Sequence, residues 1–351
     1  MAPKTAVVLA AGLGTRIGGE RPKGGLLRVA GREILYRTLT LLSRNGVDRF
    51  VIVTNERYAP LYREFVERHG FNAELVINPP EPEKGNGHSL HLARERVSGG
   101  EFVLVMSDHV YGEEFVARAV KGGRGGLVAD RRPEWVSLGG EATKVWVENG
   151  RVKEIGKNLD EWDAVDTGFF VLDGGGIFSV TGGALEMERG GGGDYPPLSE
   201  VVKRAGGLPV TFVDGLPPWT DVDTPPEDVK RARKMLVSTA VKGSGDGFIS
   251  RHLNRKISTR LSYLLAERAT PPNAMTAVTF VLGILSALTT LISLPLAGVL
   301  YQLSSILDGG VDGGELARAG LRTSRFGGVT WIPSSTATLT EPFSPSWPIR
   351  L

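Results

Sequence analysis

A glycine-rich stretch, residues 9–25, follows a short apolar run near the start of the chain and constrains the fold more than any other feature. The apolar run, residues 5–9, is rich in β-branched side chains, which predicts a buried strand. The stretch continues with Ala10, Ala11 and Gly12, whose small side chains leave the backbone open to a ligand. Backbone N–H groups in such a turn can bind phosphate oxygens. The sequence therefore predicts an α/β domain with a phosphate-binding turn after its first strand.

This stretch differs from the two best-known glycine-rich phosphate-binding motifs. The third glycine of the dinucleotide-binding fingerprint would fall on Ile17, and the glycine-lysine-serine/threonine end of a Walker A loop does not follow. Two cations, Arg16 and Lys23, lie within reach of the same turn. An ordinary glycine-rich turn of an α/β domain would explain Gly12 and Gly14, but neither cation. The cations therefore favour a site for a phosphorylated ligand.

The order L-A-A-G-x-G-x-R, followed by P-K, resembles the signature of nucleotidyltransferases that join a nucleoside triphosphate to a sugar phosphate or an alcohol phosphate. The resemblance implies a Rossmann-like α/β nucleotidyltransferase domain with a mixed sheet. It also implies that Arg16 and Lys23 are catalytic residues that draw charge from the phosphates. The nucleotide-binding positions that it implies are Leu9, Ala10, Ala11, Gly12 and Gly14, with a second segment at Gly85, Asn86 and Gly87.

The second segment, residues 85–87, is predicted as a tight loop that runs into a helix. Enzymes of this family recognise the base here, and the amide of Asn86 with nearby backbone groups can pair with the edge of a pyrimidine. The alternative is an ordinary left-handed turn, which an Asn-Gly pair favours by itself. His88 and His91 follow on the helix, and because no third ligand lies nearby we expect them to pack rather than to bind a metal.

Apolar periodicity predicts alternating strands and helices in the first part of the chain. Helices are predicted over 33–45 and 59–69, and strands over 50–54, 73–77 and 101–107. This alternation indicates a parallel sheet with helices on its faces, whose ligands bind at the carboxyl ends of the strands. Further on, a hairpin over 143–155, with Asn-Gly in its turn, and a strand over 164–172 predict an antiparallel extension.

Three aspartates are candidate ligands for Mg²⁺. Asp108 follows a predicted buried strand, where a carboxylate can hold the ion against phosphates, although an aspartate there is often only a helix cap. Asp221 and Asp223 alternate, so on a strand they would face the same side, and we expect the second ligand from this pair. Helix capping would explain why a helix starts after them but not the Asp-x-Asp pattern. His109 is expected beside the metal ligand rather than as a ligand.

The family resemblance also implies a pocket for the acceptor. Lys157 matches a catalytic lysine that lies on a strand in this family and contacts the acceptor phosphate. Lys144 is expected in the same region. Asp166, Thr167 and Gly168 match a D-T-G-x-F strand that lines the pocket. A hairpin lysine is normally only solvated, so the order of the motifs carries this prediction. In the implied reaction the acceptor phosphate attacks the α-phosphorus and pyrophosphate leaves.

The character of the chain changes after the predicted nucleotidyltransferase domain, residues 1–240, and a linker at 241–247. Residues 248–258 are basic and amphipathic, and no charged residue occurs between Arg268 and Asp308. The apolar run 276–294 is about long enough to cross a bilayer of roughly 30 Å. We therefore expect membrane contact through residues 276–307, with the first domain in the cytoplasm; a buried helix is the alternative.

Asp308 and Asp312 close the apolar region in the sequence D-G-G-V-D-G-G-E-L-A-R. This resembles the motif of CDP-alcohol phosphotransferases, except that both spacings are one residue too long. The family uses four aspartates for its metals, and this pair would be two of them, so we interpret residues 248–328 as a truncated module and expect it to be inactive. Codons for residues 329–340 can be chosen that read, two bases later, as YLDSILDRYAD, which would supply the missing aspartates. We therefore interpret residues 329–351 as a frameshifted tail.

The order of the two modules resembles bifunctional enzymes of hyperthermophiles, which combine an inositol-1-phosphate cytidylyltransferase with a di-myo-inositol phosphate phosphate synthase. This resemblance implies CTP and inositol 1-phosphate as substrates and Mg²⁺ as the cofactor. The net charge of +2 gives no argument for nucleic acid as a partner. Two alternatives remain open: another sugar-1-phosphate nucleotidyltransferase with a membrane anchor, and a non-catalytic, membrane-anchored scaffold.

Overall fold

A computed structural model describes most of the chain. The described residues are 3–12, 24–79, 85–97, 99–136, 142–189, 195–214, 219–223, 226–240 and 272–319. The predictions made for Gly14, Arg16 and Lys23, for the basic segment 248–258 and for the tail 329–351 lie outside these residues.

The described strands form one large mixed sheet and two short ribbons. The strands are β1 (Thr5–Ala10), β2 (Arg28–Val29), β3 (Arg32–Glu33), β4 (Arg49–Asn55), β5 (Ala73–Asn78), β6 (Glu101–Met106), β7 (His109–Tyr111), β8 (Gly126–Asp130), β9 (Lys144–Glu148), β10 (Arg151–Gly156), β11 (Ala164–Asp173), β12 (Val210–Phe212) and β13 (Trp219–Asp221). The helices are α1 (Ile34–Arg44), α2 (Ala59–His69), α3 (Asn86–Leu92), α4 (Glu113–Gly122), α5 (Gly174–Arg189), α6 (Leu198–Arg204), α7 (Glu227–Ala240), α8 (Pro272–Thr289) and α9 (Leu294–Ala319).

The sheet is parallel in the order β6-β1-β4-β5, so these four strands end at one edge. Side chains of β1 alternate between two cores: Val8 packs in the core that holds α1, α2 and α4, and Val7 in the core that holds α3, α5 and α6. Because both faces are covered, the centres of β1, β4 and β6 are apolar and buried, as expected of a sheet with helices on both sides, whereas the edge strand β5 is only partly buried. The predicted α/β fold with a mixed sheet is confirmed.

The antiparallel half of the sheet is built on β11, which pairs with β6, β8 and β9. The predicted hairpin is present as β9 and β10. Its turn places Asn149 at φ 52° and Gly150 at φ 73°. A two-residue turn with positive φ at both positions matches the twist of the flanking strands, which is why Asn-Gly is favoured there.

Two local predictions are wrong. Asn86 and Gly87 belong to the first turn of α3 rather than to a tight loop, and only Gly85 precedes the helix. Asp223 does not share a strand face with Asp221, because β13 ends at Asp221. The backbone N–H of Asp223 instead donates to Oδ2 of Asp228 in the first turn of α7, at 2.9 Å.

The apolar run of 276–294 is not one helix. α8 ends at Thr289 and α9 begins at Leu294, and the two helices are joined by hydrogen bonds from Ser286 Oγ to the Ala297 carbonyl (2.8 Å) and from Ser304 Oγ to the Thr279 carbonyl (2.9 Å). None of the helices among the described residues is long and apolar enough to span a bilayer. The aspartates 308 and 312 both lie within α9 rather than beyond its end.

Candidate active site

The predicted nucleotide positions that the structure describes lie at the carboxyl edge of the parallel strands. Leu9 and Ala10 end β1, and the Ala11 carbonyl accepts a hydrogen bond from Nδ2 of Asn55, at 2.9 Å. A methyl group added at Gly12 would meet no described atom within 4 Å, and the same holds at Gly85. Packing against the described residues therefore does not require a glycine at either position.

Asn86 and Gly87 face different surroundings in the first turn of α3. The Asn86 amide lies 4.0 Å from the Met106 sulfur, over the carboxyl end of β6. A Cβ on Gly87 would approach the Pro196 carbonyl oxygen to 2.2 Å. Close packing against the residues before α6 therefore accounts for the glycine at position 87, whereas Asn86 lies at the edge where the other candidate residues meet.

The two histidines of α3 are buried and hydrogen-bonded. His88 Nδ1 lies 3.0 Å from Asn78 Oδ1, and His91 Nδ1 lies 2.9 Å from Thr181 Oγ1. The second ring nitrogen of His91 contacts Arg94. These contacts join α3 to β5 and to α5.

The structure brings Asp108 and Asp221 together. The ribbon of β7 and β13 pairs Asp221 with His109, and the backbone N–H of Val222 donates to the Asp108 carbonyl at 3.0 Å. Asp108 Oδ1 lies 2.7 Å from His109 Nδ1, and Asp221 Oδ1 lies 3.2 Å from the guanidinium of Arg231. Asp108 and Asp221, from distant parts of the chain, therefore both lie beside His109, just after the end of β6.

This pair fits Mg²⁺. Among the described residues no group of three or more histidines, aspartates and glutamates could hold a metal ion. Mg²⁺ is commonly bound by one or two carboxylates together with the phosphates of a substrate, so a pair is sufficient. Of the two carboxylates at 221 and 223, the one at 221 is on the strand that meets Asp108.

His109 is a cation within this site. Burial lowers its pKa, but the charge and hydrogen bond of Asp108 and the charges of Asp221 and Asp166 outweigh burial and raise the pKa to about 9. The imidazole stacks on Trp219 with ring planes 3° apart and centroids separated by 5.8 Å. The sequence marked His109 as a neighbour of the metal ligand, but the aromatic support and the distant carboxylates could not be read from it.

Asp166 and Gly168 lie against the same histidine. Gly168 has φ 66°, and its N–H donates to Asp166 Oδ1 at 2.8 Å. A Cβ at Gly168 would lie 2.9 Å from His109 Nε2, so only glycine fits. Burial raises the pKa of Asp166 to about 6, against the opposing effects of the Gly168 hydrogen bond and His109. Thr167 is buried, and its hydroxyl donates to the Val128 carbonyl at 2.7 Å, so it holds β11 against β8.

The two predicted lysines lie at the same end of the antiparallel strands. Lys144 begins β9 and is paired with Gly156 on one side and Val165 on the other. Its Nζ donates to the Leu159 carbonyl at 3.2 Å. Lys157 is exposed and follows β10 instead of lying on it, since that strand ends at Gly156. Lys144 therefore pairs with the residue before Asp166, and Gly168, two residues further along β11, approaches His109.

Comparisons with known proteins identify relatives of the chain. Residues 6–135 match the family of MobA-like NTP transferase domains. The chain is 69% identical over 328 residues to the bifunctional IPC transferase and DIPP synthase of Thermococcus kodakarensis, covering 93% of this chain and 72% of that protein. It is 53% identical over 323 residues to the protein of the same name from Archaeoglobus fulgidus, covering 92% of this chain and 61% of that one.

A solved structure matches the first part of the chain. It is that of the inositol-1-phosphate CTP transferase from T. maritima, which is 27% identical, with a TM-score of 0.56. The match covers 67% of this chain and 97% of that protein. Together with the identity of the longer relatives, the fold and the motifs assign the chain: it belongs to the family of bifunctional IPC transferases and DIPP synthases.

Proposed function

We propose that this chain is a CTP:inositol-1-phosphate cytidylyltransferase, which makes CDP-inositol and pyrophosphate for the synthesis of di-myo-inositol phosphate phosphate. The observation that carries the proposal is the 69% identity to the T. kodakarensis protein over nearly the whole chain. The named activity of the T. maritima structure supports the same pair of substrates.

In the proposed mechanism the triphosphate binds across the carboxyl edge of the parallel strands. The backbone at Ala11 and Gly12 contacts the nucleotide, and Arg16 and Lys23 draw charge from the β- and γ-phosphates. Asp108 and Asp221 would hold Mg²⁺, which when bound neutralises charge on the triphosphate. The nearness of these two carboxylates to the end of β6 supports this assignment.

The acceptor occupies the neighbouring surface in this proposal. Lys144 and Lys157 orient the phosphate of inositol 1-phosphate, and Asp166 lines the pocket. A phosphate oxygen attacks the α-phosphorus in line, and pyrophosphate leaves. Such chemistry depends on positioning and electrostatics and requires no covalent intermediate on the protein. Loss of one charged contact of this kind costs roughly 1.5–3 kcal/mol.

The second part of the chain contacts a membrane in this proposal, through residues 276–307. Support comes from the apolar side chains that the α8–α9 hairpin leaves exposed, among them Phe280, Leu291 and Ile292. Exposed apolar side chains concentrated on one hairpin are typical of a membrane or protein contact. We further propose that the phosphotransferase module is inactive, because Asp308 and Asp312 are two of the four aspartates that its chemistry uses.

The experiment that tests the proposed activity is release of pyrophosphate by the full chain with Mg²⁺, CTP and myo-inositol 1-phosphate. Each other nucleoside triphosphate and glucose 1-phosphate serve as controls. We expect pyrophosphate to be released with CTP and inositol 1-phosphate and with no other pair of substrates. If pyrophosphate is released only with another pair, the proposed substrates are wrong but the proposed mechanism still applies. If folded protein releases no pyrophosphate with any pair, the result favours the alternative of a non-catalytic scaffold.

The membrane contact is tested separately by flotation with vesicles of phosphatidylcholine and phosphatidylglycerol. The full chain should float with the vesicles, and replacement of Leu291 and Ile292 by serine should reduce the floated fraction. A matched control is Leu61→Ser, which changes an exposed leucine of the first domain. Equal flotation of all three proteins would contradict a contact through the hairpin.

A further inference from the structure

Two buried asparagines end neighbouring parallel strands on the same rung of the sheet. Asn55 is the last residue of β4 and Asn78 the last of β5, and the strand register pairs them directly. They are only 2% and 3% exposed, respectively. Because they sit at the carboxyl edge, their side chains are at the end of the sheet where the candidate nucleotide positions lie.

Each asparagine forms hydrogen bonds with one of the two candidate nucleotide-binding segments, the backbone after β1 or the first turns of α3. Asn55 donates from Nδ2 to the Ala11 carbonyl at 2.9 Å and accepts the N–H of Tyr58 at 3.0 Å. Asn78 donates to Ser89 Oγ at 2.8 Å and meets His88 Nδ1 at 3.0 Å, both in α3. The carboxamides thus tie the backbone after β1 and the first turns of α3 to adjacent strands.

The contact of Asn55 fixes the direction of a backbone donor. The carbonyl of Ala11 and the N–H of Gly12 belong to one peptide unit, which is planar, and in its trans form they point in opposite directions. An anchor on the carbonyl therefore aims the Gly12 N–H away from Asn55. Gly12 is exposed, and a Cβ built on it would meet no described atom within 4 Å, so the described residues leave this peptide accessible.

We propose that Asn55 is a positioning residue for nucleotide binding, which holds the Ala11–Gly12 peptide so that its N–H meets the nucleotide. This inference rests on the proposed function for the identity of the nucleotide. Asn55 does not touch the substrate itself. Its role requires a donor toward Ala11 and an acceptor toward Tyr58, which a carboxamide supplies and a carboxylate does not.

The test compares Asn55→Asp with Asn55→Ala and with the control Asn72→Asp in the full chain. An aspartate at 55 keeps the acceptor for Tyr58 but turns an oxygen toward the Ala11 carbonyl. Asn72 also donates from Nδ2 to a backbone carbonyl, that of Asp48 at 2.9 Å, but at the opposite edge of the sheet. The pair of Asn→Asp variants therefore removes the same kind of bond at the two ends of the strands.

Steady-state kinetics distinguish a specific effect on nucleotide binding from a general loss of structure or activity. We expect N55D and N55A to raise KM for CTP about tenfold, the effect of losing roughly one hydrogen bond to a ligand-binding peptide, with KM for inositol 1-phosphate changed less than about twofold. N72D should leave both constants as in the unchanged chain. Equal rises in both KM values, or an unchanged KM for CTP in folded N55A, would overturn the proposal.

Amide hydrogen exchange tests the anchor without reference to activity. Exchange at residues 9–12 should be faster in N55D and N55A than in the unchanged chain and in N72D. If the unchanged chain releases no pyrophosphate with any pair of substrates, the proposed function fails, and this measurement still decides on the anchor. Equal exchange at residues 9–12 in all four proteins would overturn it.

Discussion

The nucleotidyltransferase domain and the α8–α9 hairpin are both rich in apolar residues but expose them very differently. In the domain, Val7 and Leu104 lie on strands covered by helices on both faces and are fully buried. In the hairpin a few residues such as Ala297 and Ile306 are buried, whereas Leu291 and Ile292 are 88% and 87% exposed. The domain encloses its own core, whereas the hairpin leaves much of its apolar surface exposed among the described residues.

Loss of the Asp108 carboxylate should give the largest effect of the changes considered. It should lower the activity of the nucleotidyltransferase domain without affecting the hairpin. Asp108→Asn keeps the size of the side chain but removes the charge, and we expect kcat to fall by about 10²–10³-fold, as for other preorganised electrostatic groups. The measurement is pyrophosphate release at saturating CTP and Mg²⁺. Asp48→Asn, an exposed change at the opposite edge of the sheet, is the matched control. A fall of less than about threefold in D108N would remove Asp108 from the site.

The contrast in burial predicts a contrast in stability. Leu104→Ala in β6 opens a cavity in the buried core and should lower the free energy of unfolding by about 2–5 kcal/mol. Leu288→Ala on the exposed surface of α8 should change it by less than about 0.5 kcal/mol. Denaturant unfolding of the full chain, followed by tryptophan fluorescence, measures both. Similar losses in the two variants would mean that the hairpin surface is buried in solution.

Substitution of three glycines in the domain should distinguish a glycine needed for packing from glycines that affect only ligand binding. Gly87→Ala should lower the free energy of unfolding by about 1–3 kcal/mol, because its methyl group overlaps the Pro196 carbonyl. The methyl groups of Gly12→Ala and Gly85→Ala would meet no described atom within 4 Å, so these changes should leave stability nearly unchanged while weakening binding of CTP. Thermal unfolding and nucleotide titration of each variant test this. Destabilisation by all three changes would contradict the distinction.

The smallest expected effect is a dependence of stability on pH that arises in the domain alone. Burial lowers the pKa of His69 below its usual value, against the opposing charge of Glu33. The unfolded chain therefore binds a proton more readily, so stability is lost as the pH falls from about 6.5 toward the lower pKa of the folded state. Melting temperatures at pH 7.5 and 5.5 should differ less in His69→Gln than in the unchanged chain. An identical pH dependence in the two proteins would assign it to other groups.

Much of the domain could be predicted from sequence because its signals are local. The helix over 59–69 matches α2, and the hairpin turn at Asn149 and Gly150 has the backbone angles that its residues favour. The strand at 126–130 and its parallel partner at 210–212 were not predicted, because each is short and pairs with chain far away.

The sequence named candidate site residues but could not give their contacts. It selected Asp108 and left Asp221 and Asp223 as alternatives, and their alternation suggested a shared strand face that the end of β13 does not allow. Asn55 and Asn78 carry no sequence signal, since each is one asparagine after an apolar strand. The register of β4 and β5 places the two asparagines side by side at the carboxyl edge, and only the folded sheet defines that register.

The ribbon of β7 and β13 has a consequence for the order of events during synthesis. It supplies one carboxylate of the pair from the middle of the domain and the other from the domain's last strand. A ribosome that has made only the sheet and its first helices has therefore made a protein that lacks Asp221, one of the two aspartates that hold the metal in the proposed mechanism. In that mechanism the growing chain becomes an active transferase only after β13 has been synthesised, close to the end of the domain.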